Sequence, residues 1–278
     1  MCLVLEVSRS GYYAWRRRPK SNRADENERL VSRIRVIYGE SRRTYGSPRV
    51  HAELVAQGEC CNKKRVERLM RENGIQVEIK PKFKTTTDSN HDLPVSPNTL
   101  NRQFQAEAPD RKWLTDITYI WTSEGWLYLA VVLDLFSKMV VGWCLKNTVS
   151  RALVLGALKM ALGQRNPDRN LLHHSDRGSQ YASDEYQQLL EIYQMDCSMS
   201  RKADCWDNAP MESFFATLKK ELVYRCVFLS REQAFREIFD YIEIFYNGKR
   251  RHSTLGYLSP RAFEQAYHSA MMREPQCT

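Results

Sequence analysis

The chain has 278 residues, of which 42% are hydrophobic and 11% aromatic, and a formal net charge of +9. This composition excludes a disordered chain and is sufficient for one good core plus a smaller domain. The positive charge favours a polyanionic partner, nucleic acid before membrane, although a basic protein without such a partner is equally compatible with the charge alone.

The sequence contains neither the pattern of a secretory signal peptide nor that of a membrane span. Its longest apolar stretch, Trp126 to Phe136, is interrupted by Asp134 and is too short to cross a bilayer. The eight cysteines are scattered without a C-x-x-C pair, so we expect no structural zinc and a reducing compartment. We therefore expect a soluble protein of the cytoplasm.

Residues 1–21 form a basic N-terminal segment. Two tyrosines and Trp15 precede Arg16 and Arg17. Flat rings beside cations suit contact with a nucleic-acid strand, and a solvated tail is an equal alternative.

Residues 22–80 are predicted to form a helical domain. Ser47 and Pro48 mark the start of its second helix, and Asn62 to Asn73 form its third. The third helix carries cations on its outer faces: Lys63, Lys64, Arg65, Arg68 and Arg71. A short helix, a turn and a basic helix predict a helix-turn-helix-like domain that contacts DNA. The alternative is a plain helical hairpin with a solvated basic face.

Residues 81–108 show little periodicity and several Pro, Thr, Asn and Ser residues, which indicates a linker. Its basic start, at Lys80, Lys82 and Lys84, is a further candidate for DNA contact.

From Pro109 the pattern becomes that of strands. Three strands joined by short turns are followed by a helix, a strand, a helix, a strand and a helix. The five strands are predicted at 113–121, 126–133, 139–145, 171–175 and 195–199. This order predicts an α/β fold of the ribonuclease H-like class over residues 109–268, including a C-terminal helical extension, with a tail at 269–278.

Three acids are placed where such a fold can bring them together. Asp116 lies within the first strand, Asp176 just past the fourth strand, and Glu212 early in a helix. Taken singly, each has an ordinary interpretation as a strand-edge acid, a turn acid or a helix N-terminal charge. Together, on a strand, a strand end and a helix, they are more specific. Asp134 is a competing carboxylate that could stand near Asp116 across a hairpin, whereas Asp207 and Asn208 suit a helix cap.

Three carboxylates of this kind could hold two Mg²⁺ ions, or Mn²⁺ in their place, for phosphoryl transfer. Lys219 follows Glu212 by seven positions, so two helical turns return its ammonium to nearly the same face, beside a bound strand. An ordinary surface lysine is the equal alternative.

The chain closely resembles the insertion-sequence-three family of bacterial transposases, in the product of their second reading frame. The resemblance is carried by segments spread over nearly the whole chain: Ser8 to Arg17, Tyr45 to Arg49, Trp113 to Tyr119, Asp134 to Trp143, His174 to Tyr181, Asp207 to Phe215 and Arg250 to Pro260. The linker is the least distinctive part.

The resemblance implies a DDE-type transposase with a retroviral-integrase-like catalytic core. Asp116, Asp176 and Glu212 would be its catalytic, metal-binding acids, and Lys219 would match the basic residue that follows the glutamate. It also implies DNA partners (terminal inverted repeats and target DNA), a frameshift fusion with the first-reading-frame product, an oligomer assembled on DNA, and a place in the bacterial cytoplasm at the nucleoid.

Two other functions remain compatible with the sequence. One is a DNA-binding regulator or domesticated remnant without chemistry, although intact acids argue against it. The other is a nuclease for RNA–DNA hybrids with the same core, which the helix-turn-helix-like domain and the C-terminal motif make less favourable.

Overall fold

The chain separates into two units, Met1–Glu78 and Ile79–Thr278. The computed structural model describes residues 2, 4, 6–77, 96–201 and 205–272, excluding the side chain of Cys205. Lys80, Lys82 and Lys84 of the predicted linker lie outside these residues. None of the described helices is long and apolar enough to cross a membrane.

The first unit consists of four helices: α1 (Arg9–Arg17), α2 (Asn22–Glu40), α3 (Ser47–Ala56) and α4 (Lys63–Glu72). Ser8, Ser21 and Asn62 begin three of them, because their side chains accept hydrogen bonds from first-turn backbone N–H groups. Gly46 is the N-terminal cap of α3, so Ser47 lies one residue inside the helix rather than capping it.

The core of the first unit is formed by α2, α3 and α4. Their buried side chains recur at helical spacing: Leu30, Ile34, Ile37, Val50, Leu54, Val66, Leu69 and Met70. Helix α1 buries none of its side chains, so its aromatic and basic residues remain on the surface.

The second unit is built on a five-stranded sheet in the order β3-β2-β1-β4-β5. The strands are β1 (Lys112–Thr122), β2 (Gly125–Asp134), β3 (Val140–Lys146), β4 (Leu172–Ser175) and β5 (Asp196–Met199). The first three strands form an antiparallel meander, whereas β4 pairs parallel to β1 and β5 parallel to β4. The predicted element order and fold class are therefore confirmed.

The described residues of the second unit also form five α-helices: α5 (Arg151–Arg165), α6 (Asp184–Ile192), α7 (Ala209–Glu221), α8 (Arg231–Phe239) and α9 (Pro260–Met271). A π-helix, Asp240–Tyr246, continues α8, and short 3₁₀ turns lie at Cys205–Asn208, Val223–Arg225 and Ser253–Leu255.

The two faces of β1 have different roles, since side chains alternate along a strand. On one face, Trp113 packs with β2, β3 and α5 in the main apolar cluster. Asp116 belongs to the other face, where the acid and base of α7, Glu212 and Lys219, interact with it. The sheet thus presents Asp116 toward α7 while its opposite face holds the core.

The described part of the predicted linker, residues 96–108, is attached to the second unit. Leu100 is buried, and the backbone N–H groups of Thr99 and Leu100 donate to the Ser198 hydroxyl at 3.0 and 3.1 Å. The backbone N–H of Met199 in β5 also donates to the Pro97 carbonyl at 3.4 Å, so this stretch lies along the outer edge of β5.

Asp134 does not lie beside Asp116, contrary to the suggestion from the sequence. Its register partner on β1 is Trp113, three positions before Asp116. The buried Asp134 carboxylate accepts from the backbone N–H groups of Asp110, Phe136 and Ser137 at 2.7–3.0 Å. It fixes the turn after β2 rather than belonging to the acid set.

Two buried ion pairs attach C-terminal elements to the unit. Arg165 at the end of α5 bonds both carboxylate oxygens of Glu264 in α9, at 2.6 and 2.7 Å. Arg250 forms a bidentate pair with Glu221 at the end of α7, at 2.8 Å on both sides. The Tyr241 hydroxyl donates to the same Glu221. The C-terminal motif that contains Arg250 thereby anchors α7.

We expect Arg250→Met to lower the free energy of unfolding of the second unit by about 3–5 kcal/mol, because it leaves the Glu221 carboxylate buried without its counter-charge. Urea unfolding followed by tryptophan emission measures this, since Trp15 is the one tryptophan of the first unit. Arg169→Met, at an exposed loop position, is the control, and Arg250→Met combined with Glu221→Met should recover most of the loss. An Arg250→Met chain as stable as the unchanged protein would contradict the anchoring role.

Candidate active site

Backbone pairing brings together the segments that carry Asp116 and Asp176. Strands β1 and β4 pair in parallel from Lys112 with Leu172 to Leu114 with His174. Asp116 lies two residues beyond Leu114 on β1, and Asp176 lies two residues beyond His174. Strand β4 ends at Ser175, so Asp176 stands at its carboxyl end, where α/β sheets commonly bind ligands.

The turn after β4 fixes the orientation of Asp176. Its Oδ1 accepts from the backbone N–H of Gly178 at 2.9 Å, and the Arg177 Nε donates to the Ser200 carbonyl at 2.6 Å. A Cβ at Gly178 would lie only 3.0 Å from Asp176 Oδ1 and 2.8 Å from Gln180 Oε1. A larger residue here would push the Gln180 amide and the Asp176 carboxylate aside.

Glu212 lies in the first turn of α7, and Asn208 ties the start of this helix to β1. The Asn208 Nδ2 donates to the carbonyl of Thr115, next to Asp116, at 3.4 Å. Asn208 is only 6% exposed, and its buried Oδ1 has no hydrogen-bond partner among the described residues. The Asn208 Oδ1 is therefore a buried acceptor without a hydrogen-bond donor, close in the chain to Glu212 and attached through Nδ2 to the residue before Asp116.

The predicted cap at Asp207 and Asn208 is not formed by side chains. Asn208 occupies the cap position of α7 without a side-chain cap bond. The fully buried Asp207 instead accepts from Arg201, Arg102 and Asn98 at 2.7–3.0 Å. These partners, above all Arg201, hold the pKa of Asp207 well below its usual range.

The three acids and Lys219 interact electrostatically. Burial raises the pKa of Asp116 well above its usual value, and the carboxylates of Asp176 and Glu212 raise it further, while Lys219 opposes the shift. Partial burial also raises the pKa of Glu212. Burial lowers the pKa of Lys219, and the Asp116 carboxylate opposes that change. A cation between the acids would relieve this repulsion.

Within residues 6–77, 96–201 and 205–272, no three His, Cys, Asp or Glu side chains converge closely enough to hold a metal ion as they stand. The donor set itself suits a divalent cation, because hard cations prefer oxygen ligands.

The other predicted DNA-contacting residues lie in the first unit. Lys63 and Lys64 are exposed at the start of α4, with no carboxylate partner among the described residues. Arg65 bonds Glu26 and Asn27, and Arg68 bonds Glu72, so part of the charge of these two is compensated within the unit. Of these four cations, the two lysines therefore carry the uncompensated charge.

Arg16 and Arg17 lie in the last turn of the exposed helix α1. The rings of Tyr12, Tyr13 and Trp15 cluster on the same helix, with centroids 5.4 and 6.2 Å from that of Tyr12. This places flat aromatic surface and positive charge together, as the sequence suggested.

Sequence reasoning missed the two histidines before Asp176. His174 bonds the Ser198 and Ser200 hydroxyls at 2.8 and 3.1 Å, and His173 bonds the Tyr186 hydroxyl at 3.1 Å. Burial lowers the pKa of His173 to about 3 and that of His174 to about 4, so both rings are neutral at pH 7. They support β4 and β5 under the site. Because the sequence predicts a buried strand at 171–175, it could have indicated that these two histidines are buried.

Comparison with known proteins identifies the domains and the family. Residues 25–83 match the HTH-like domain, and residues 106–205 and 212–267 match the Integrase core domain. The chain is 44% identical over 266 residues to the transposase InsF of insertion sequence IS3A from Escherichia coli strain K12, covering 95% of this chain and 92% of that protein.

The chain belongs to the IS3 family of transposases.

A second relative of this IS3-family transposase is the insertion element IS600 uncharacterized 31 kDa protein of Shigella sonnei, 46% identical over 268 residues, covering 96% and 98% of the two chains. The fold is also similar to that of a chain of the simian T-cell lymphotropic virus intasome, with a TM-score of 0.50 at 14% identity, covering 82% of this chain and 72% of that one. The second unit is thus a ribonuclease H-like core of the retroviral integrase kind, and the enzyme is a polynucleotidyl transferase of DNA transposition and integration.

We expect Gly178→Ala to reduce transposase activity about tenfold or more, because the added methyl group would displace the Asp176 carboxylate by several tenths of an ångström. The measurement is strand cleavage of element-end DNA as a function of Mg²⁺ concentration, which should shift to higher concentration. Gly163→Ala is the matched control, since a Cβ there meets nothing within 4 Å. Unchanged cleavage and metal dependence in Gly178→Ala would show that this turn does not position Asp176.

Proposed function

We propose that this transposase uses Asp116, Asp176 and Glu212 as a catalytic, metal-binding triad for DNA strand cleavage and strand transfer. In the first step, water attacks a phosphodiester and releases the 3′-hydroxyl of the element end. In the second, that 3′-hydroxyl attacks a target phosphodiester, forms the new P–O bond and releases the target 3′-oxygen. No covalent protein–DNA intermediate is involved.

The observation that supports this proposal best is the environment of Asp116. A half-buried carboxylate on an apolar strand is unfavourable unless it is compensated, and here two further carboxylates raise its pKa. Such an arrangement lowers the stability of the protein when no cation is bound to the acids. Strongly perturbed acids in one place are typical of functional sites.

The proposed cofactor is a divalent cation, Mg²⁺ or Mn²⁺, and two ions are the expected number. Bound ions would activate the attacking oxygen and stabilise the leaving oxygen. The residues fit this group because the three acids supply hard oxygen donors. The buried Oδ1 of Asn208, an acceptor without a donor, lies at the same end of α7.

The chain's own residues have separable roles in this proposal. Gly178 and the β1–β4 register orient Asp176 beside Asp116. Asn208 holds the start of α7, and with it Glu212, against β1. Lys219 would contact a phosphate of the bound strand, since its ammonium lies in the field of Asp116.

The proposed partners are element terminal inverted repeats and target DNA. Lys63, Lys64, Arg65 and Arg68 of α4 and the pair Arg16 and Arg17 of α1 are the proposed phosphate contacts in the first unit, with the two lysines making the larger contribution. A frameshift fusion with the first-reading-frame product, an oligomer assembled on DNA, and a bacterial cytoplasmic location at the nucleoid complete the proposal.

We expect Glu212→Gln to abolish Mg²⁺-dependent cleavage and joining of labelled element-end DNA, a loss of about a thousandfold or more, because an uncharged amide is a weaker ligand for a divalent cation. Binding of the same DNA should stay within twofold. Mg²⁺ should raise the thermal unfolding midpoint of the unchanged protein and not that of the variant.

The control for this experiment is Glu191→Gln, an exposed glutamate of α6. The chain should be assayed with and without the fused first-reading-frame segment. Cleavage that survives in Glu212→Gln would rule out the triad. Binding without metal-dependent cleavage in any form of the unchanged protein would favour a non-catalytic DNA-binding protein.

We expect Lys63→Ala combined with Lys64→Ala to weaken binding of a 30-base-pair duplex and to lower the slope of log affinity against log salt by about two, close to one unit for each phosphate contact removed. Fluorescence anisotropy between 50 and 200 mM salt, roughly the range over which such contacts are strongly screened, measures the slope. Lys159→Ala, an exposed lysine of α5, is the control. An unchanged slope would exclude these lysines from the DNA interface.

A further inference from the structure

A short part of the predicted linker contacts the residues that support helix α7. Residues 97–102, here called the 97–102 segment, include Asn98 and Arg102. The Asn98 Nδ2 donates to one carboxylate oxygen of Asp207 at 2.7 Å, and the Arg102 Nε donates to the other at 3.0 Å. Asp207 lies two residues before the start of α7, so these bonds reach the end of the helix at which Glu212 lies.

The Asp207 carboxylate is fully buried and depends on its donors. Besides the two bonds from the 97–102 segment, it accepts from the Arg201 backbone N–H at 2.9 Å and from the Arg201 guanidinium at 2.9 and 3.0 Å. Loss of one donor leaves a buried charge incompletely satisfied, which is unfavourable. Because one residue joins Asp207 to α7, any shift that restores its hydrogen bonding also moves the start of that helix.

A chain of hydrogen bonds leads from the same segment toward the end of β4. The Ser198 hydroxyl accepts from the backbone N–H groups of Thr99 and Leu100 at 3.0 and 3.1 Å, and both donors belong to the 97–102 segment. A hydroxyl oxygen has two lone pairs, so both are occupied. The single hydroxyl proton is left for the remaining neighbour, the His174 Nδ1 at 2.8 Å.

This arrangement fixes the tautomer of His174. Because burial lowers the pKa of His174 to about 4, the ring is neutral at pH 7, and with Nδ1 as the acceptor its proton lies on Nε2. The Nε2–H group donates to the Ser200 hydroxyl at 3.1 Å, and that hydroxyl donates to the Ser175 carbonyl at 3.3 Å. Ser175 is the last residue of β4 and directly precedes Asp176. The hydrogen-bond chain therefore ends one residue before the second acid.

The 97–102 segment is itself fixed to the second unit. Leu100, near its middle, is only 1% exposed. Within the segment, the Asn101 backbone N–H donates to the Asn98 Oδ1 at 2.9 Å, which orients the Asn98 amide with its Nδ2 toward Asp207. A fixed segment with bonds to both supports sets the distance between them.

We propose that Asn98 and Arg102 are positioning residues of the transposase site. They act through Asp207 on Glu212, and the backbone of the same segment acts on Asp176 through the hydrogen-bond chain. The proposal rests on the proposed triad. The two acids emerge from different elements, a strand end and a helix, and the segment sets their separation. A misplacement of about 1 Å in such a site costs on the order of a hundredfold in rate.

The first test compares Arg102→Gln and Arg102→Lys with the unchanged protein, in the form of the chain that cleaves element-end DNA. Arg102→Gln leaves Asp207 its other donors, so the fold should be retained. At saturating Mg²⁺, kcat should fall at least about fivefold while KM for the DNA stays within about twofold, because Glu212 is displaced and no DNA contact is removed. Arg102→Lys keeps a cationic donor and should recover at least about half of the original kcat.

Unchanged kcat in Arg102→Gln would overturn the proposal. A raised KM beside the unchanged kcat would make Arg102 a contact of the DNA instead. A lowered unfolding midpoint beside the unchanged kcat would make the 97–102 segment a support of the fold alone.

The second test is Asn98→Asp. This change keeps the size of the side chain and the oxygen that accepts from Asn101, but it replaces the donor to Asp207 by a like charge. We expect kcat to fall at least about tenfold. Gln103→Glu is the matched control, because it makes the same amide-to-carboxylate change at an exposed side chain one residue beyond the segment. An equal effect of the two substitutions would contradict the role of Asn98.

The hydrogen-bond chain has a readout that does not depend on activity. In protein labelled with ¹⁵N-histidine, with His174→Gln used to assign the signals, the nitrogen shifts report which ring nitrogen carries the proton. We expect His174 protonated at Nε2 at pH 7. Protonation at Nδ1 would overturn the part of the proposal that leads to Asp176, because the Ser198 hydroxyl would then accept from the ring rather than donate to it.

The outcome is distinguishable from failure of the proposed function. Loss of cleavage in Glu212→Gln with unchanged kcat in Arg102→Gln and Asn98→Asp would keep the triad and reject the positioning role. Cleavage that survives in Glu212→Gln while kcat falls in Arg102→Gln would reject the triad and leave the 97–102 segment as a support of the site.

Discussion

The site depends above all on the short parallel pairing of β1 with β4. Three register pairs, from Lys112 with Leu172 to Leu114 with His174, set the level at which Asp176 emerges relative to Asp116. A shift of one residue would turn the side chains of β4 to the opposite face and move Asp176 away. The neutral, hydrogen-bonded His173 and His174 fill the end of β4, so the register is secured by packing as well as by the backbone.

The remaining parts of the site are fixed by buried polar contacts. Asp207 is held by two arginines immediately before α7, Asn208 bonds the carbonyl next to Asp116, and Glu221 pairs with Arg250 at the far end. The helix that carries Glu212 is therefore attached at both ends. Buried charged and amide side chains destabilise the protein unless their partners are present. Because these partners are present only when α7 lies in this position, the contacts fix the position of the helix.

Local patterns predicted most of the fold. The β-branched and aromatic run of β1, the apolar run of β2 and the spacing in α5 each determine their element by periodicity, and the three acids stood out by their places on these elements. What periodicity cannot express is pairing between distant residues. Asp134 was assigned to a place across the hairpin from Asp116, yet it accepts from the turn that follows it and from Asp110, 24 positions away. Asp207 was assigned to a helix cap, yet its partners are Arg201 and Arg102, the latter 105 positions away. Lys63 and Arg65 looked equivalent on α4 until the contact of Arg65 with Glu26 distinguished them.

The two buried ion pairs also set an order in which the second unit can be completed. Arg165 and Glu221 each depend on a partner made later in the chain, Glu264 and Arg250, separated from them by 99 and 29 positions. During synthesis from the N-terminus, all five strands and all three acids precede Glu264 and Arg250, while Arg165 already has an earlier partner in Asp110, at 2.9 Å. A ribosome product ending before Arg250 would therefore contain every proposed catalytic residue, with the C-terminal end of α7 still without its Arg250 contact. Release of a competent enzyme is thus coupled to completion of its last helices.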